Sequence, residues 1–325
     1  MTQHHPAGES SRPPRRSERL RQRAAWMYFV EEMTQSAIAE ALGVGRVTVV
    51  RMLAEAKALG EVRIALSRGD AELAGFEAAL CKAYGFSEAI VAPISTGSAD
   101  PTGPIGAALG DYVSALLRND MKIGLGWGRT LNRSLEYLHE RSLRDLHVVS
   151  LVGGVTRFAH DNPAEFPSAF ARAFNAECYL IPAPALVDSA ATKTALVERC
   201  GLGAVYDFAR ALDAVVVSVG SLGAESTVAR FQLMGEVERR LMREYGGVGE
   251  LLCHVFDSEG RVVDHALNHC VMSVPLDAVR AAPVRVLAAG GAHKLAAIHG
   301  AIKLLRPTTL VTDGATARRL MDGPR

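Results

Sequence analysis

The sequence predicts a two-part chain: a small N-terminal helical unit closed by a short strand, then a large α/β unit on a mostly parallel sheet. Three observations carry this. Residues 34–53 hold two short helical patterns separated by Gly43-Val44-Gly45. Beyond Lys122, apolar runs alternate with helical patterns. At 325 residues the chain exceeds one typical domain, and 49% hydrophobic content suffices for a large core.

The first 20 residues form a tail. Residues 1–23 carry Arg12, Arg15, Arg16, Arg19, Arg21 and Arg23 against Glu9 and Glu18, with three prolines and few apolar residues. Such a segment is expected to be disordered in isolation. It either lies along phosphates, adding salt-dependent affinity, or is a solvated leader. No apolar run follows its charges, so it is not a secretory signal. RLRQRAAWMYFVEEM then reads as a helix with Trp26, Phe29 and Val30 facing the next two.

Thr34 caps a helix running to about Leu42, with Ile38, Ala39 and Leu42 on one face. The glycine-containing turn follows. A second helix covers roughly Val47 to Leu59, with Val49, Val50, Leu53 and Ala56 inward and Arg46, Thr48 and Arg51 outward. Two short helices joined in this way form a helix-turn-helix, whose second helix enters the DNA major groove. An ordinary helical hairpin explains the polar face less well, because cap, turn and outward residues agree with one another. The residues assigned to DNA are Thr34, Gln35, Arg46, Thr48, Val49 and Arg51. Glu61-Val62-Arg63-Ile64-Ala65-Leu66 alternates as a half-buried strand does and would form a wing. The DNA-binding unit thus spans 21–66.

Ser67-Arg68-Gly69-Asp70 is the joint, and 67–325 the second unit. A helix over Ala71–Tyr84 bears Leu73, Phe76, Leu80 and Tyr84 on one stripe. Strands are expected over Lys122–Gly126, His147–Gly154, Cys178–Pro182, Ala214–Gly220, Leu251–Asp257, Val284–Gly290 and Thr309–Asp313. Continuous apolar runs such as Ala214–Val219 suit a parallel sheet covered on both faces.

In such sheets ligands sit beyond the carboxyl ends of the strands. Those ends read Gly126-Trp127-Gly128-Arg129-Thr130, Gly153-Gly154, Gly220-Ser221, Asp257, and Gly290-Gly291-Ala292-His293-Lys294. Glycine loops that open helices offer N–H groups to an anion, and Arg129 and Lys294 add positive charge suited to phosphate. Asp257 could accept hydrogen bonds from sugar hydroxyls. Singly, each loop is an ordinary turn; together they make a sugar or sugar-phosphate pocket. Neither GxGxxG nor GxxxxGK[ST] occurs, which disfavours a dinucleotide or nucleoside triphosphate.

Net charge is +1, with the basic excess at the N-terminus. Nucleic-acid binding is therefore expected at one end only. No run of about 18 apolar residues suggests a membrane span. The five cysteines include no CxxC pair. They are expected to be reduced, several of them buried, in a cytoplasmic protein. Cys253-His254 and His269-Cys270 are not natural chelates, and no metal or other cofactor is expected.

The segment WMYFVEEMTQSAIAEALGVGRVTVVRMLAEAKALGEVRI resembles the N-terminus of the SorC family of bacterial sugar-responsive regulators. GLGWGRTL at 124–131, VSLVGG at 149–154, VFDSEGRVV at 255–263, AAGGAHKLAAIHGAI at 288–302 and LVTDGATARRLM at 310–321 resemble its sugar-binding domain. The resemblance covers nearly all of residues 21–325. It implies a winged helix-turn-helix followed by a Rossmann-like domain related to sugar-phosphate isomerases and deaminases without their catalysis. It also implies a homo-oligomer, dimer or tetramer, that binds double-stranded operator DNA and responds to a sugar, polyol or sugar phosphate. Carried over, Gly128, Arg129, Thr130 and Lys294 would hold phosphate and Asp257 the sugar. The effector residues assigned are Gly126, Gly128, Arg129, Thr130, Gly153, Gly154, Gly220, Asp257 and Lys294. Gly45 and Val50 replace serines common in the family, which shifts the expected DNA contacts onto Arg46, Thr48 and Arg51. The expected function is a repressor of a carbohydrate or polyol catabolic operon. The alternative is an isomerase or deaminase with an appended DNA-binding unit, which would need a base and an oxyanion stabiliser drawn from Asp257, His293 and Lys294.

Overall fold

A computed structural model of the chain describes residues 16–62, 71–93, 100–155 and 165–323. The chain divides into two compact units, Met1–Arg68 and Gly69–Arg325.

The first unit contains α1 (Arg16–Phe29), α2 (Gln35–Leu42) and α3 (Arg46–Ala58). The Thr34 hydroxyl accepts from the Ala37 N–H at 3.2 Å and caps α2. Gly43 ends α2 at φ 65°, and Val44 N–H reaches back to the Ala39 carbonyl at 3.0 Å. A side chain at Gly43 would strain that left-handed closure. The core is Ala24, Ala25, Met27, Ile38, Ala39, Val49, Leu53 and Ala56. The Arg21 guanidinium forks onto both oxygens of Glu61 at 2.7 Å and onto Glu55 at 3.0 Å, tying α1 to the end of α3. Its hydrogen bonds hold the Glu61 carboxyl below its ordinary range.

Four expectations are corrected here. Arg16–Leu20, placed in the tail, are helical. Trp26 and Val30 are 59% and 56% exposed, because the small side chains of Ala24 and Ala25 form the contact face of α1. Val50 is exposed, because Val49, Leu53 and Ala56 share one helical stripe and Val50 lies to its side. Val49, assigned to DNA, is 0% exposed on that same stripe and cannot reach a base. The wing falls mostly outside the described residues, and Glu61 and Val62 are not in a strand. The joint at 67–70 and the tail at 1–15 also lie outside the described residues.

The second unit runs α4 (Ala71–Tyr84), β1 (Glu88–Ala92), α5 (Thr102–Leu116), β2 (Lys122–Leu125), α6 (Arg129–Ser134), β3 (His147–Ser150), α7 (Glu165–Ala173) and β4 (Glu177–Tyr179). It continues through α8 (Ala190–Arg199), α9 (Gly203–Phe208), β5 (Ala214–Val217), α10 (Thr227–Arg230), α11 (Glu236–Glu244), β6 (Gly247–Leu251) and β7 (His254–Asp257). It ends with α12 (Ala266–His269), α13 (Leu276–Ala281), β8 (Val284–Ala288), α14 (Leu295–Leu305), β9 (Thr309–Asp313) and α15 (Gly314–Met321).

Seven strands form one parallel sheet in the order β1-β9-β8-β5-β2-β3-β4. Strand β5 shows why its residues are apolar throughout. Ala214 and Val216 join the layer of α5 and α7, with Ile105, Leu109, Phe166 and Phe170. Val215 and Val217 join the opposite layer, with Ile298, Ala301 and Leu320 of α14 and α15. Burial on both faces removes the polar alternation of a half-exposed strand.

Leu251–Asp257 is not one strand. It belongs to an antiparallel hairpin, β6 and β7, turned at Leu252 and Cys253 with φ 51° and 67°. Two positive φ angles suit the tight turn that joins antiparallel strands. The run is apolar because the turn itself is buried, Leu252 and Cys253 being 1% and 0% exposed. Strand β1, an edge strand, carried no recognised sequence signal. Of the five free thiols only Cys253 is fully buried, which corrects the expectation of several. Among the described residues no helix is long and apolar enough to cross a membrane.

Candidate functional site

From β2 the chain steps to β3 and β4 on one side, while β5 lies on the other side of β2 and leads toward β8. The sheet therefore changes direction between β2 and β5, and the loops after these strands diverge to leave a crevice. A small cleft lies there. Its lining includes Gly128, Arg129 and Thr130 after β2, Ser218 and Gly220 after β5, Glu250 of β6, and Lys294 after β8.

Each loop is fixed by its own chemistry. Gly128 stands at φ 125°, which lets the chain turn directly from β2 into α6. Trp127 is buried beneath it against Phe231, ring centroids 5.8 Å apart. A side chain at Gly220 would press on the Glu250 carboxylate, which would have to move aside. The loop that presents Lys294 is held by a chain of hydrogen bonds. Gly291 N–H donates to Thr316 Oγ1 at 2.8 Å, and Thr316 Oγ1 donates to the buried Asp313 carboxylate at 2.6 Å.

Glu250 is 4% exposed, and its Oε2 accepts from the Cys253 N–H at 2.9 Å. Burial pushes its carboxyl up to about 7, although the Cys253 N–H and the Lys294 charge pull the other way. Burial also lowers Lys294 from its usual range, helped by Arg129 and opposed by Glu250. Among the described residues neither Arg129 nor Lys294 has a carboxylate within 4.0 Å. The cleft thus offers two cations, a buried carboxyl, and the hydroxyls of Thr102, Thr130, Ser218 and Thr227. That combination can receive a small anion bearing hydroxyl groups.

Five of the nine assigned effector residues meet here: Gly128, Arg129, Thr130, Gly220 and Lys294. The other four lie outside this lining. Gly126 N–H is bound to the Val216 carbonyl at 2.9 Å, within the sheet. Gly153 N–H goes to Met272 O and Gly154 N–H to Ala183 O, both at 2.8 Å, so neither is free for an anion. A Cβ on Gly153 would lie 2.5 Å from Ala183 O, so this glycine serves close backbone packing. Asp257 sits at the far end of β7 and organises its own turn. It accepts from Glu259 N–H, Arg261 N–H and Arg261 Nε at 2.8–2.9 Å. Those bonds hold its carboxyl below the ordinary range against the opposing effect of burial.

Glu250 was overlooked. Its signal was present as one charged residue inside the apolar run Gly249-Glu250-Leu251-Leu252, where an ionisable side chain needs a reason. Thr102, Ser218 and Thr227 had no comparable signal.

In the first unit, Arg46 and Arg51 are exposed at the start of α3 and Thr48 is half-buried. Thr34 is exposed and Gln35 half-buried at the start of α2. Apart from the buried Val49, these side chains can be reached from solvent.

Residues 71–322 match the family described as "Putative sugar-binding domain". The chain is 31% identical over 306 residues to the erythritol catabolism regulatory protein EryD of Brucella abortus, covering 93% of this chain and 96% of that one. It is 27% identical to the deoxyribonucleoside regulator of Bacillus subtilis, covering 95% and 99%. The full-length sorbitol operon regulator SorC of Klebsiella pneumoniae superposes with a TM-score of 0.71 at 26% identity, over 93% of this chain and 98% of that one.

Proposed function

Because the chain belongs to the SorC family of sugar-binding transcriptional regulators, we propose that it represses a carbohydrate or polyol catabolic operon under the control of a small effector. Its role as a transcriptional regulator follows from the family. The rest is our reading. Helix α3 enters the operator major groove, with Arg46, Thr48 and Arg51 toward DNA and Thr34 and Gln35 of α2 near the phosphates. The effector is a phosphorylated sugar or polyol. Its phosphate meets Arg129 and Lys294 beside Gly128 and Thr130, and its hydroxyls meet Glu250 and the cleft's serine and threonine side chains. The names of the erythritol and sorbitol regulators support a sugar or polyol of this size class.

One observation carries the reading: Arg129, Lys294 and buried Glu250 share a cleft at the sheet's change of direction. The protein works as a cytoplasmic homo-oligomer, dimer or tetramer, with no cofactor and no turnover. Asp257, a candidate base for isomerisation, is committed to its turn, and among the described residues Glu250 is the only carboxylate lining the cleft. Effector binding shifts the arrangement of subunits, and a differential affinity of roughly 1–3 kcal/mol would change operator affinity about 5- to 150-fold.

A thermal-shift screen tests this with free and phosphorylated four- to six-carbon sugars and polyols. A phosphorylated compound should raise Tm, and the rise should vanish in Lys294→Met. Stabilisation by free polyols alone, unchanged in Lys294→Met, would overturn the phosphate assignment. Sustained conversion of any stabilising compound would overturn the non-enzymatic reading.

A further inference from the structure

Helix α3 carries apolar side chains where folding gives no reason for them. Val49, Leu53 and Ala56 bury one stripe. The opposite stripe, at spacings of four and three, is Val47, Arg51 and Ala54, with Val50 beside it. Val47 is 83% exposed and Val50 45% exposed. A β-branched residue lowers helix propensity relative to alanine, lysine or glutamate, and little burial at Val47 and partial burial at Val50 offset that cost. Neither local propensity nor core packing accounts for the two valines.

The charge around them is one-sided. Arg46 and Arg51 are exposed on the same half of the helix. The one carboxylate of α3, Glu55, is engaged by Arg21 at 3.0 Å. The surface is apolar in its middle and cationic beside it. It complements a major-groove floor that carries methyl groups between phosphate walls. Thymine alone among the four bases places a methyl group there.

We propose that Val47 and Val50 read thymine 5-methyl groups in the operator, Val47 as the more exposed and principal contact. This inference rests on the DNA-binding reading above and deepens it. Sequence choice is carried in part by two aliphatic side chains, while Arg46 and Arg51 supply phosphate and guanine contacts. The valine side chain suits the task, because χ1 is already restricted in the helix and little freedom is lost on contact.

The test starts by selecting an operator from random duplex DNA with the full-length protein. Each thymine of a half-site is then replaced in turn by deoxyuridine, which removes only the methyl group. Binding is read by fluorescence anisotropy at fixed salt. One or two positions per half-site should weaken wild-type binding by roughly fourfold each, the effect of burying one methyl. Val47→Ala and Val50→Ala should bind the parent duplex more weakly and each lose the sensitivity at one position. Both side chains are exposed, so the variants keep the fold. A flat deoxyuridine profile overturns the inference, as does sensitivity that persists in both variants. A change in oligomeric mass in either variant, with discrimination intact, would mean that the valines meet a second copy of the chain and would also overturn it. Failure to select any duplex overturns the DNA-binding reading itself, which is distinguishable from selection followed by a flat profile.

Discussion

Replacing Glu250 with glutamine should make the protein more stable at high pH and leave it nearly unchanged at low pH. The carboxyl is 4% exposed and rises from 4.5 to about 7 in the folded chain. The folded state therefore binds more protons than the unfolded state between those values. Stability is fully present below 4.5, falls as pH rises through the window, and levels off above about 7. Carrying a carboxylate across that difference costs roughly 3 kcal/mol once pH exceeds both values. Glutamine keeps an oxygen for the Cys253 N–H and cannot ionise. Between about pH 5 and about pH 8.5 its advantage over the wild type should grow by roughly 2–3 kcal/mol, or about 4–10 °C in Tm. Thermal melts of both proteins at equal concentration, without effector, measure it. An advantage that is the same at both pH values would mean that Glu250 does not titrate between them, and a glutamine variant less stable at high pH would mean that the buried charge is favourable.

Three further outcomes follow from the same geometry. Alanine at both Arg46 and Arg51 should weaken operator binding by on the order of 1–3 kcal/mol for each arginine that reads a base, and flatten the salt dependence where one meets phosphate; unchanged affinity would remove α3 from the DNA contact. Gly220→Ala puts a Cβ against the Glu250 carboxylate, which must move and so weaken its bond with the Cys253 N–H; urea titration should show a loss of roughly 1 kcal/mol, and full stability would mean that the carboxylate turns aside freely. Asp257→Ala should cost about 1 kcal/mol through its turn yet keep the effector response; loss of the response with the fold intact would restore Asp257 to the site.

What the sequence revealed depended on whether the signal was local. The cap at Thr34, the break at Gly43 and the continuous run at Ala214–Val219 are decided by neighbouring residues, and each was readable. Gly128, Arg129 and Lys294 were readable because glycine and cations at strand ends have few other uses together. Tertiary context decided the rest. Asp257 and Glu250 are both carboxylates in the same apolar region, and only the hairpin at Leu252-Cys253 places one at the cleft and the other at a turn. Gly153 and Gly154 have the composition of an anion loop, yet their N–H groups go to Met272 and Ala183, partners far along the chain. Val49 and Val50 were both read as inward; they differ by one helical step, and packing buries the first while leaving the second exposed.

The proposed control of operator binding runs through the cleft at Arg129, Lys294 and Glu250. It is tested most directly by titrating the operator-bound protein with the stabilising sugar or polyol phosphate, in wild type, Arg129→Ala and Lys294→Met. The wild type should release DNA, with affinity falling about 5- to 150-fold. Both variants should bind operator as tightly as the wild type and fail to release it at the same effector concentration. Release that survives unchanged in both variants would place effector control elsewhere in the molecule.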